Sequence, residues 1–219
     1  MPRSSARLDR LTRSVLWALD HSLPESELIP MLEQLLSLAP RCSRQSSLAK
    51  HHLARLIVAD QPWRAARLAT ELLADASDLE AADANWAIVG MAQTVMGNYR
   101  SARRAHRNAL ALAPEAPSHL HNLGHLLDMA FDRPGEALPY LRAAYQGVPN
   151  EPEVASSYAH ALARAGRVAQ ARQILSLALG SAEDASSLIE RWLGQPDSPS
   201  TPPPPDRPDH DAELEAAQA

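Results

Sequence analysis

The side chains best suited to chemistry in this 219-residue chain are histidines and a nearby carboxylate. His121 and His125 are spaced i, i+4, which puts both on one face of a helix. Asp128 follows about one turn on. Imidazole and carboxylate groups so arranged are potential Zn²⁺ ligands. The run His121-Asn122-Leu123-Gly124-His125 lacks, however, the glutamate that turns a helical histidine pair into a metalloprotease motif. Cys42 is the only cysteine, so no intrachain disulfide forms, and it has no base beside it to make a reactive thiol. No catalytic residue and no cofactor are expected, and the chain does not read as an enzyme.

These residues must be positioned by helices. Alanine and leucine dominate the apolar content and aromatics make up only 4%. Both favour helix, and short alanines let helices approach closely. Apolar residues recur with helical period along the chain. Leu8, Leu11, Val15, Leu16 and Trp17 share a face. Ser22 is expected to start a second helix, with Pro24 and Glu25 in its first turn, carrying Leu28, Ile29, Leu32, Leu35 and Leu36. After a polar connector from Arg41 to Ser46 comes a third helix with Leu48, Leu53, Leu56 and Ile57. A fourth carries Trp63, Ala66, Leu68, Ala69 and Leu72. Asp78, Glu80 and Asp83 suit the N-terminus of a fifth. Further on, Ser181 with Asp184 marks the start of a last helix, ending at Gly194.

The net charge is −5, and the segment from Gln195 holds six acids against one base, so the rest is neutral. A neutral body lacks the basic footprint of a nucleic-acid binder. The tail, with seven prolines, is expected to be disordered. No stretch approaches the ~20 apolar residues of a membrane span, and the N-terminus lacks the apolar core of a signal peptide. A soluble cytoplasmic protein is expected. Lys50 is the single lysine among many arginines, a coding bias that suggests a GC-rich bacterial genome.

The best-written stretch is Trp86 to Pro114, two amphipathic helices joined at Met96-Gly97-Asn98-Tyr99. A related pattern recurs every 34–36 residues, marked by Ala66, Ala102, Ala137 and Ala171 in the second helices and by Pro114 and Pro149 at the ends. The first helices carry small residues of their own at Ala54, Gly90, Gly124 and Ala159. Trp86, Val89, Gly90, Gly97, Tyr99, Ala102, Ala109 and Pro114 make this unit resemble the tetratricopeptide repeat. The resemblance implies an all-α fold: a right-handed α-solenoid of helix-turn-helix units with terminal capping helices and a disordered C-terminal tail. The expected division is a helical pair or degenerate unit at 1–46, then the repeat array at 47–180, a capping helix at 181–194 and the tail at 195–219.

In this family the first helix of each unit lines a concave groove. By register the groove-facing candidates are His51, Arg55, Met91, Thr94, His121, His125, Asp128, His160 and Arg164. The resemblance therefore implies a non-catalytic scaffold or adaptor that binds a partner segment, with neither nucleic acid nor membrane as partner. The alternative is a metal-binding protein or metal-dependent hydrolase centred on His121, His125 and His160. Some relatives clamp a C-terminal carboxylate with a lysine and asparagine set. Here His51 and Arg55 are a loose substitute, and Ile88 is apolar where asparagine would be wanted. Arg100, Arg103, Arg104 and Arg107 form a basic stripe that reads best as a solvated outer face.

Overall fold

A computed structural model describes residues 2–75 and 81–194. Among these it contains eleven helices and no strand. They are α1 (Pro2–Asp20), α2 (Glu25–Leu38), α3 (Arg44–Ile57), α4 (Pro62–Leu73), α5 (Ala82–Val95), α6 (Tyr99–Leu112), α7 (Pro117–Met129), α8 (Pro134–Gly147), α9 (Pro152–Arg164), α10 (Val168–Leu179) and α11 (Ala182–Gly194). The chain has the all-α helical-repeat solenoid fold. The tail, and Asp78 and Glu80 before α5, lie outside the described residues. Asp83 is in the first turn of α5.

Prolines set much of the punctuation. Pro62, Pro117, Pro134 and Pro152 sit at the starts of α4, α7, α8 and α9. There the missing N–H is one that no helical carbonyl would accept, and the fixed φ suits the first turn. Ser43 caps α3, its hydroxyl accepting from the Ser46 N–H at 3.2 Å, so the connector ends earlier than Ser46. Ser181 caps α11 through the Asp184 N–H. Ser22 does not cap α2. It adopts φ 49° in the turn after α1, and Pro24 takes the cap position.

The chain divides into two compact units. One comprises residues 1–96 with 104–114, the other residues 97–103 with 115–219. In the first, α1 packs on α2, α2 on α3, α3 on α4 and α4 on α5, and α3 also touches α5. Its core includes Val15, Leu32, Leu35, Leu53, Ile57, Leu68 and Ile88. Four expected core positions differ, and two of them, Leu16 and Trp17 of α1, are 48% and 55% exposed on the side away from α2. Trp63 is 64% exposed, and Ala65 rather than Ala66 is fully buried. In a helix, a one-residue error of phase rotates every side chain by about 100°. Trp63 lies within the first turn of α4, near the helix end and away from the buried side.

In the second unit α7 packs on α8, α8 on α9, α9 on α10 and α10 on α11, and α9 touches both α7 and α11. Leu123, Leu126, Leu141, Leu162, Leu175 and Ile189 are buried. Close crossings depend on small residues. A Cβ on Gly124 would come 2.7 Å from Leu141 Cγ, and one on Gly90, in the first unit, 2.5 Å from the His106 ring. His106 is itself 2% exposed, so the ring fills the space that the missing Cβ leaves.

The α5–α6, α7–α8 and α9–α10 turns share one backbone feature. Gly97 and Gly166 have φ of 78° and 79° at equivalent positions. Asp132 stands at that position in the α7–α8 turn with φ 56°. Asp tolerates the left-handed region better than most side chains, at a cost of about 1 kcal/mol against glycine.

Candidate functional site

In each unit the first helices of successive hairpins touch, so their side chains form a row. The nine sequence-predicted residues divide between two such rows. His51, Arg55, Met91 and Thr94 belong to the first unit on α3 and α5, and His121, His125, Asp128, His160 and Arg164 to the second on α7 and α9.

In the first unit, His51 Nδ1 lies 2.8 Å from Asn85 Oδ1 and donates to it, linking α3 to α5. Asn85 is buried at 1% exposure, so this bond satisfies an amide that water could not. The His52 ring stands edge-on to His51 at 5.2 Å. Its pKa is pushed down to about 4, by burial first and then by His51 and Arg55. Arg55 is exposed and Met91 half-buried. Thr94 spends its hydroxyl on the Gly90 carbonyl at 2.9 Å, one turn back on its own helix. An asparagine does stand in this row, but at Asn85 and not at Ile88, which is buried in the core.

The second unit holds a denser network. His121 Nε2 is 2.9 Å from Ser157 Oγ, and His125 Nδ1 is 3.3 Å from the same oxygen. A hydroxyl has one proton to give. It can donate to one imidazole while accepting from the N–H of the other, an arrangement in which both rings are neutral. The His121 pKa is lowered by burial, and next by the charge of His125, against a pull from Glu153. His125 keeps an exposed edge, yet desolvation of its ring also lowers its pKa and outweighs the opposing Asp128 and Glu153.

Asp128 is the other hub. Its side chain is 2% exposed, with His160 Nδ1 at 2.6 Å and Arg164 Nη1 at 2.9 Å. Arg164 Nη1 also donates to the Asp128 carbonyl at 2.8 Å, and Nη2 pairs with Asp132 in the α7–α8 turn. Burial works against the Arg164 charge, but the Asp132 and Asp128 carboxylates raise its pKa above the ordinary value. His160 in turn stands edge-on to Trp192 of α11, with centroids 5.0 Å apart. The row from α7 through α9 to α11 is therefore tied together by side chains.

This geometry bears on the metal alternative. The facing nitrogens of His121 and His125 are turned to Ser157, and His160 Nδ1 to Asp128. Among the described residues no group of three or more His, Cys, Asp or Glu is arranged to hold a metal ion. Sequence reasoning missed Asn85, Ser157 and Trp192. A signal was present for two of them. The inter-helix bonds join residues about one repeat apart, 34 for His51–Asn85 and 36 for His121–Ser157. Of the basic stripe on α6, the Arg103 guanidinium lies 4.9 Å over the Phe131 ring. No helix among the described residues is long and apolar enough to cross a membrane.

Residues 128–195 match the model of the family described as Tetratricopeptide repeat. No curated protein matches the sequence. Among solved structures the chain is similar to pilF of Pseudomonas aeruginosa, at 18% identity over 87% of this chain and 86% of that one, with a TM-score of 0.63. It is similar to a thermophilic TPR protein of Thermus thermophilus, at 17% identity over 85% and 98% of the two chains, with a TM-score of 0.62. It is also similar to YrrB, described as a TPR protein with an unusual peptide-binding site, at 18% identity, 86% and 98% coverage and a TM-score of 0.57. At these identities the likeness is one of fold.

Proposed function

We propose that this tetratricopeptide-repeat protein is a non-catalytic interaction scaffold. Each unit takes a partner segment along its own row of first helices, α3 and α5 in one and α7 and α9 in the other. The observation that carries this reading is the state of the polar side chains there. Those that are buried are already bonded to each other, as in His51–Asn85, His121–Ser157 and Asp128–Arg164. A row fixed in this way loses little side-chain freedom when a partner arrives. The groups left to meet a partner are the exposed Arg55, the outer edge of His125, the Met91 side chain and the exposed Met129. Cationic, imidazole and thioether groups together suit an extended or helical peptide with mixed polar and apolar side chains. That YrrB is described as having a peptide-binding site lends the reading support by analogy of fold.

The test is site-specific photocrosslinking in cells of the source organism. A photoreactive side chain at His125 or at Met129, both exposed on α7, is expected to capture one and the same protein. The same probe at Arg172 or Gln173, exposed on α10, serves as the control. Equal capture from both sets of positions, or none from the first, would remove the groove reading.

A further inference from the structure

We propose that the arginine face of α1 docks the acidic segment 206–215 of a second copy of this chain. Val15 and Ala18 are fully buried on the side of α1 that packs on α2. The opposite side carries Arg7, Arg10 and Arg13, all exposed, and Trp17 at 55% exposure. At 3.6 residues per turn these four fall within roughly a third of the helix circumference. Leu16 borders them at 48% exposure, and Trp17 is stacked on His21 at 4.3 Å, which holds the indole in place.

Elsewhere several cations are answered by carboxylates: Lys50 by Glu71, Arg64 by Glu33, Arg133 by Glu136. On α1 none of the three arginines pairs with a carboxylate among the described residues, and Arg10 Nε only reaches the Ala6 carbonyl at 3.3 Å. An ordered row of unanswered guanidinium groups around an indole fits an acidic segment that also carries an apolar side chain.

The chain itself contains such a segment. The whole net charge resides beyond Gln195, with Asp206, Asp209, Asp211, Glu213 and Glu215 close together and Leu214 the only large apolar residue there. Asp206 and Asp209 repeat the spacing of Arg7 and Arg10, Glu213 stands one residue further on than Arg13 does, and Leu214 supplies an apolar side chain for Trp17 and Leu16. Pro202 to Pro205 precede the acids. The contact joins two different surfaces, so it is heterologous and association grows with concentration.

Sedimentation equilibrium of the full chain tests this. At low salt the mean mass is expected to exceed that of one chain, and at high salt to fall to it, with the association constant roughly tenfold or more weaker. One variant carries Arg7→Glu, Arg10→Glu and Arg13→Glu. A second carries Asp206→Lys, Asp209→Lys and Glu213→Lys. Each alone is expected to stay monomeric, and mixing the two to restore association. If the α1 variant fails to fold by circular dichroism, the second variant decides, since it alters none of the described residues. Three results overturn the proposal. A single-chain mass with a radius that grows with salt places the tail on its own molecule. Arginine-dependent co-sedimentation with phosphatidylserine vesicles, without self-association, makes a lipid surface the occupant. Association that survives both charge reversals belongs to another surface.

Discussion

Asp128 carries more of the second unit than any other single residue in its polar row. Its carboxylate holds the Arg164 guanidinium and the His160 imidazole from α9 while almost sealed from water. Removing it strands those partners, but Arg164 and His160 keep 24% and 18% exposure and can turn outward. Asp128→Ala is therefore expected to cost about 2 kcal/mol, below the usual figure for breaking a fully buried pair, read from the urea midpoint. A second prediction concerns pH. His52, His121 and His125 all have lowered pKa values, largely through burial. In the unfolded chain they take up protons near 6.5, whereas the fold resists protonation until lower pH. Stability from this source is complete above 6.5 and is lost as pH falls towards about 4, the folded value of His52. Thermal unfolding followed across that range should show a falling midpoint, and His52→Gln should flatten the fall. A midpoint independent of pH there would contradict it. The sequence exposed these histidines but not their burial, because i, i+4 spacing tells which residues share a face and not what lies opposite.

Close approach and turn geometry belong to the scale of the helix. Gly90→Ala gains about 1 kcal/mol of helix propensity, yet its Cβ would fall 2.5 Å from a buried imidazole. The clash should win, with a net loss of about 1 kcal/mol. Adding His106→Ala removes the obstacle, so Gly90→Ala should become neutral or stabilising in that background. A double-mutant cycle in urea measures the coupling. In the α7–α8 turn, Asp132→Gly and Asp132→Ala both lose the contact with Arg164, but only glycine relieves the positive φ. The glycine variant should be the more stable of the two by about 1 kcal/mol. At this scale most helices were legible, since apolar period, prolines and capping serines all point the same way. Phase was less so. The α4 register hung on choosing between Ala65 and Ala66, two adjacent alanines with equal propensity, and only packing against α3 and α5 distinguishes them.

For the whole molecule, the pattern of contacts predicts where opening begins. Among the described helices α1 packs principally on α2, and α11 on α9 and α10, whereas α4 and α8 are each packed by the helices that both precede and follow them. Stability in such arrays is a sum over neighbours. Hydrogen exchange should therefore be fastest in α1 and α11 and slowest in α4 and α8. Uniform protection along the chain would argue against this. The repeat itself was readable because its small residues recur at a near-constant interval. The inter-helix hydrogen bonds were not, because Ser157 and Asn85 look like ordinary helix polar residues until the neighbouring repeat is laid beside them. That property has a further consequence. Each such bond joins a side chain to one about a repeat later, so the side chains encode the order of the hairpins. If the hairpin of α5 and α6 replaced that of α7 and α8, every helix would still be amphipathic. Ala87, Met91 and Thr94 would then take the places of His121, His125 and Asp128, facing Ser157, His160 and Arg164 with no carboxylate to receive them. The repeats are alike as building blocks but not interchangeable. Each first helix carries an address that its successor reads, and a shuffled chain would be misassembled in its polar seams while remaining correct in its core.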